Sequence, residues 1–259
     1  MQTHTPHSLP ADAVMPSLPQ DIAVVVLGVV IGAMLLHGFA LLRRDGDNRL
    51  LVLLGSGAAA SLLEGFACHL INCWHSAVGI REVYVAFGIH VPLWLAELYV
   101  VFFGGMSYYF LRGFVKSASF ATLFWSFFIV VGMLEGGGEM IGIALGMFVY
   151  HGAQPLPIFG FPLYLGFINP AQALAFTAVA CLWFKHVKGG ARYLLIPLTP
   201  VLLAGVYAGL TYPTASFLFA ANHGLSVAGS IASMILSVLL AALSYRVLMH
   251  LHDQGALVA

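Results

Sequence analysis

The chain has 259 residues, 61% hydrophobic and only 8% charged, with mean hydropathy +0.96 and a formal net charge of zero. Soluble domains carry about 25% charged residues, so a water-soluble fold is excluded, and the neutral balance gives no reason to expect nucleic acid as a partner. Cys68, Cys73 and Cys181 show neither metal-type spacing nor a disulfide framework.

What remains is an all-α fold, a polytopic membrane helix bundle, expected as a multi-pass protein of a cell membrane. Residues 1–21 read as a polar N-terminal tail with Pro and His but no Lys or Arg. The basic start of a signal peptide is therefore missing, and the first apolar run reads as a retained helix. A spanning helix needs about 20 mostly apolar residues, and seven runs qualify: 22–42, 51–72, 91–112, 118–138, 159–184, 193–212 and 224–249. The bundle then covers 22–249, and 250–259 is a short C-terminal tail. The fourth run is awkward, because apolar sequence continues past Gly136, Gly137 and Gly138 to Tyr150. Each of these glycines loses roughly 1 kcal/mol of helix propensity. The helix is expected to end there and pass into a re-entrant or interfacial segment over 140–157, with an eighth span as the alternative.

Basic residues set the orientation. Arg43, Arg44 and Arg49, then Arg112 and Lys116, then Lys185, Lys188 and Arg192, and finally Arg246 fall on one side, against Arg81 alone on the other. That alternation fits seven spans with the N-terminus outside and the C-terminus inside. It also places the ionisable intramembrane groups between the midplane and the outer surface. Glu64 lies near the middle of the second run, followed by Cys68, His69, Asn72 and His75. At 100° per residue, Glu64, Cys68, Asn72 and His75 share an arc of about 80°. The third run adds His90, Trp94 and Glu97, and the fourth delivers Glu135 and Glu139. Tyr150, His151 and Gln154 follow, the fifth run carries Asn169 and Gln172, and the seventh starts at Asn222 and His223.

A single glutamate near a helix end often does no more than reach the interface, and His75, His90 and His151 at the boundary read as surface histidines. Several acids on segments that can surround one cavity point further, because lipid offers ionisable groups no solvation. A carboxyl group enclosed by hydrocarbon holds its proton and becomes a usable general acid. The alkene or epoxide of an isoprenoid is a substrate that needs such a proton, and aromatic faces such as that of Trp94 stabilise the resulting carbocation.

The pattern Glu139, Gly146, Tyr150, Gln154-Pro155 and Gly160-Phe161-Pro162 resembles a stretch of the membrane-embedded carotenoid hydratases. The chain is also similar in length, helix count and buried acids to the small integral-membrane terpene cyclases of meroterpenoid pathways. The likeness covers about 40 residues and the helix count, and implies by analogy proton-initiated cyclisation or hydration of a prenyl chain. The chain lacks the Asp-rich DDxxD and DxDD motifs of soluble terpene synthases. Depth then suggests roles. Glu64 or Glu139 would donate the proton, with Glu97 and Glu135 as second carboxylates. Asn169, Gln154 and Tyr150 would position the substrate or a water, and His69 and His223 would relay protons. This chemistry calls for a lipophilic small-molecule substrate and a lipid environment, with no cofactor and no metal.

Two alternatives stay open. Eleven histidines, with His69, His75, His90, His151 and His223 on the side of the acids, fit a metal-dependent membrane redox enzyme, since imidazole and carboxylate suit iron, copper or zinc. A helix broken at Gly136–Gly138 beside intramembrane acids fits a proton-coupled transporter.

Overall fold

The computed structural model describes residues 12–116, 119–218 and 223–255. Among these residues seven helices are long and apolar enough to cross a membrane: α1 (Ser17–Asp45), α2 (Arg49–Ile71), α3 (Leu93–Phe114), α4 (Phe120–Ala144), α5 (Leu165–His186), α6 (Gly189–Leu218) and α7 (His223–Asp253). Hydrocarbon leaves backbone groups no partners except their own helix, so apolar runs of this length close their hydrogen bonds internally. The alanine-rich α5 is the hub, with 72% of its most apolar stretch buried, whereas α1 lies on the periphery with 6% buried.

Small residues set the close crossings. A Cβ on Gly57 of α2 would sit 2.8 Å from the Tyr99 carbonyl oxygen, and one on Gly104 of α3 would sit 2.8 Å from that of Leu53. The two backbones therefore touch directly. On α7, a Cβ on Gly229 would run into the Pro213 carbonyl of α6, and nearby the Ser233 and Thr214 hydroxyls meet at 2.8 Å. α3 passes through a π-helical turn at Val100–Met106, and α2 tightens to a 3₁₀ turn at Ser61–Leu63 just before Glu64.

The basic segments gather at one end. Arg49 pairs with Asp47 (2.8 Å), Asn48 donates to the Tyr193 hydroxyl (3.1 Å), Lys185 bonds Gln254, and the Phe120 and His252 rings lie 4.1 Å apart. The opposite end is capped by short strands: β1 (Cys73–His75), β2 (Glu82–Ala86), β3 (Ile89–Pro92), β4 (Phe148–Tyr150), β5 (Pro157–Ile158) and β6 (Phe161–Pro162). They pair antiparallel as β1–β4, β2–β3 and β5–β6. The β2–β3 and β5–β6 turns, Phe87-Gly88 and Phe159-Gly160, hold both residues at positive φ, the twist that two-residue hairpins require. The start of α1 is tied to this cap, as Gln20 bonds the Gly79 carbonyl and the Arg81 amide while Asp21 pairs with Arg81.

Several expectations need correction. α4 does not end at Gly136–Gly138 but continues to Ala144. Ending a helix inside hydrocarbon would strand its last carbonyls at several kcal/mol each, more than the glycines cost. Of the three, Gly136 serves packing, against the Phe161 ring, as Gly132 does against the Gly166 backbone and Gly142 against the Phe148 ring, whereas Gly137 and Gly138 face open space. Residues 140–157 do not form an eighth span. They hold the end of α4, then β4 and a loop. The supposed tail at 1–21 already contains the first turn of α1 from Ser17, and α7 runs to Asp253, past the expected limit at 249. Residues 1–11, Asn222 and 256–259 lie outside the described residues.

Two glycine substitutions test this packing. A Cβ added at Gly137 would meet nothing within 4 Å, so Gly137→Ala is expected to raise stability by up to about 1 kcal/mol. Gly104→Val drives side-chain atoms into the α2 backbone and is expected to cost about 1–3 kcal/mol. Thermal unfolding in detergent checks both.

Candidate active site

Just beneath the cap, between α2, α3, α4, α5 and α6, lies a cavity of about 390 Å³. Leu95, Phe102, Phe103, Met106, Val131 and Leu165 make most of its walls apolar. Leu98 of α3 and Leu134 of α4 line it as well and are 38% and 71% exposed on the bundle surface. α3 and α4 instead pack at their basic ends, where the Phe110 ring meets Phe124 and Phe127. Between these two leucines the cavity lining reaches the outer surface of the bundle.

Three polar groups break the apolar lining. Glu64, buried about two turns from the end of α2, receives three donors. Cys68 Sγ and His75 Nε2 reach Oε1 at 2.8 and 3.1 Å, and the Tyr99 hydroxyl reaches Oε2 at 2.7 Å. His75 comes from β1, whose direction is set where Asn72 ends α2 in a left-handed conformation (φ 55°). The rings of Trp94 and Phe148 hold His75 edge-on at 6.1 and 5.7 Å. The second group is Glu139, whose Oε2 accepts from the Tyr150 hydroxyl at 2.7 Å. The third is Glu135, whose Oε1 accepts from the Asn169 amide of α5. From the 1.5 Å rise per residue, Glu139 and Glu135 lie about 7 and 13 Å inside the end of α4.

Tyr150 and Cys73, lining groups on the strands, are both shifted. Burial first, and the neighbouring Glu139 second, push the Tyr150 phenol well above its ordinary value, so it stays a proton donor to that carboxyl. Burial likewise pushes the Cys73 thiol up. Among the described residues, the buried atoms His75 Nδ1, Trp94 Nε1 and Glu135 Oε2 of lining residues have no hydrogen-bond partner.

Of the residues expected from sequence, Glu64, Glu135, Glu139, Trp94, Tyr150 and Asn169 come together here. Four others do not. Glu97 sits on the far side of α3 from the cavity, its Oε1 beside Gly28 of α1. His69 is exposed on the opposite face of α2 and stacks on Phe87 at 5.3 Å. Five residues from Glu64 on a helix is about 140° of rotation, which removes it from the site. His223 is exposed at the start of α7. Gln154 is buried but outside the cavity, donating to the carbonyls of Ile71 and His151 and so clamping the loop after β4 to α2.

Sequence reasoning missed Tyr99, Tyr207, Cys73 and above all His75, which is 4% exposed rather than a surface histidine. The shared arc with Glu64 and Cys68 was a signal for His75, although the chain leaves the helix at Asn72 and returns on a strand. No protein-family description, no curated protein and no solved structure matches the chain.

The hydrogen bonds around Glu64 make a stability contrast. Tyr99→Phe strips the donor from a buried carboxyl oxygen and is expected to cost about 1–3 kcal/mol. His69→Ala, outside the site, is expected to stay within about 0.5 kcal/mol of the parent. Unfolding midpoints of the two purified variants check the difference.

Proposed function

We propose that this chain is an integral-membrane acid catalyst acting on a prenyl or similar polyene chain drawn laterally from the bilayer. The observation that supports it best is the gathering of Glu64, Glu135 and Glu139, from two different helices, on the walls of one largely apolar cavity. A volume of about 390 Å³ suits a small lipophilic molecule, since such pockets run to roughly 300–1,000 Å³. The isoprenoid class itself rests on the resemblance in residues 139–162.

Glu139 is the donor in this proposal. With the Tyr150 hydroxyl on Oε2, its proton sits on Oε1 and passes to an alkene carbon or an epoxide oxygen. A new C–H or O–H bond forms as the π pair or the C–O bond gives up its electrons. The cation is stabilised by the ring faces of Trp94 and Phe102. An internal double bond then captures it and a neighbouring C–H proton leaves to Glu135, a net isomerisation. Alternatively water adds and loses its proton to Glu135, a net hydration. The Asn169 amide holds Glu135 Oε1 and leaves Oε2 to receive the proton. Glu135 and Glu139 are one helical turn apart on the same face, which lets the proton return. The Glu64, Cys68 and His75 group would anchor an oxygenated end of the substrate.

Membranes supplied with geranylgeraniol, whose alkene protonation leaves the label on carbon, in D₂O test this. The expected product carries one solvent-derived deuterium. Glu139→Gln and Glu135→Gln should each lower turnover by about 10²–10⁴-fold, the usual contribution of a positioned acid or base. Product without deuterium, or both variants turning over at the parent rate, would contradict the proposal. The carrier alternative loses the feature that raised it, because α4 runs unbroken through Gly136–Gly138.

A further inference from the structure

The Glu64, Cys68 and His75 group has a geometry that hydrogen bonding alone does not require. Their ligand-type atoms lie within 4.8 Å of one another, all three residues are buried, and all three line the cavity. The edges of the triangle are 2.8 Å (Cys68 Sγ to Glu64 Oε1), 3.1 Å (His75 Nε2 to Glu64 Oε1) and 3.6 Å (Cys68 Sγ to His75 Nε2). Two ligands in a tetrahedral zinc site, at metal distances of about 2.0–2.3 Å, are roughly 3.3–3.7 Å apart. The sulfur–nitrogen edge already has that length, and the other two need an outward shift of about half an ångström.

From these observations we infer that Glu64, Cys68 and His75 form a three-ligand site for a zinc-like divalent cation, with the fourth position facing the cavity. Thiolate, imidazole and carboxylate together select zinc over magnesium or calcium, which take oxygen ligands. Three protein ligands with one open position are the pattern of zinc sites that bind a substrate or water. The ion balances the charges of one thiolate and one carboxylate, so the apolar surroundings receive no net charge. The supporting contacts are in place. Tyr99 holds the second oxygen of Glu64, and Trp94 and Phe148 fix the His75 ring. Among the described residues His75 Nδ1 has no partner, so Nε2 alone engages the group, and in the metal-bound form the ring proton resides on Nδ1. On binding, a sulfur–metal bond forms and the thiol proton leaves to solvent.

Such an ion would hold an oxygen of the substrate at this end of the cavity, which deepens the proposed function. The site itself is read by binding, so its failure and the failure of acid catalysis are separate results. The full-length protein, purified in detergent, stripped with chelator and re-supplied with zinc or cobalt(II), is the material for the test. One equivalent of metal is expected, with a near-ultraviolet thiolate-to-cobalt charge-transfer band. Cys68→Ser should abolish the band, and His75→Gln should weaken cobalt binding at least tenfold. Cys181→Ser, a buried thiol on α5 away from the cavity lining, should retain both signals. Absence of bound metal in the parent protein overturns the inference, as does a thiolate band that survives Cys68→Ser or an affinity unchanged in His75→Gln. In either case the three side chains are a hydrogen-bonded cluster only.

Discussion

Hydrocarbon provides no hydrogen-bond partners, so every polar group carried into it must find one within the protein. A charged residue left at the bilayer centre costs roughly 2.5–3.5 kcal/mol. Three stranded carboxyls would therefore cost on the order of 8–10 kcal/mol, comparable with the whole stability of an ordinary domain at about 5–15 kcal/mol. Glu64 and Glu139 avoid this by taking donors from Tyr99 on α3, His75 on β1 and Tyr150 on β4, while Glu135 takes the Asn169 amide of α5 on one of its two oxygens. Satisfying the acids and assembling the cavity are thus the same event.

The cap is what makes that possible. Helices alone would leave the ends of α2 and α4 open to the interface. The β1–β4 pairing places Cys73 opposite Tyr150 and His75 opposite Phe148, which fixes both polar partners over the cavity. Gln154 fastens the same layer to α2 through the Ile71 carbonyl. The remaining wall between α3 and α4 carries the exposed Leu98 and Leu134 rather than a sealed helix crossing.

The helix bundle was legible because apolar run length and basic-residue bias are strong, local signals, and all seven spans fall where the sequence places them, with ends displaced by no more than about two helical turns. The carboxyl cluster was legible in part for the same reason, since depth along a run is read directly. Rotation about the helix axis was not. Glu97 shares the depth of the site but points toward Gly28 of α1, and His69 shares the helix of Glu64 but lies on its far face. The glycines of α4 misled because propensity is weighed in water, whereas in lipid the unmade backbone bonds outweigh it. His75 and Tyr150 depend on a strand pairing across more than seventy residues, for which three-residue strands leave no periodic trace.

The central claim is that the three glutamates share one chamber that holds an apolar molecule, and Glu97 does not. Labelling with a hydrophobic carbodiimide in detergent, read residue by residue by mass spectrometry with and without geranylgeraniol, tests it directly. Protection of Glu64, Glu135 and Glu139 together, with Glu97 labelled equally in both samples, is the expected result. Protection of Glu97 alone, or of none of the three, would contradict the account.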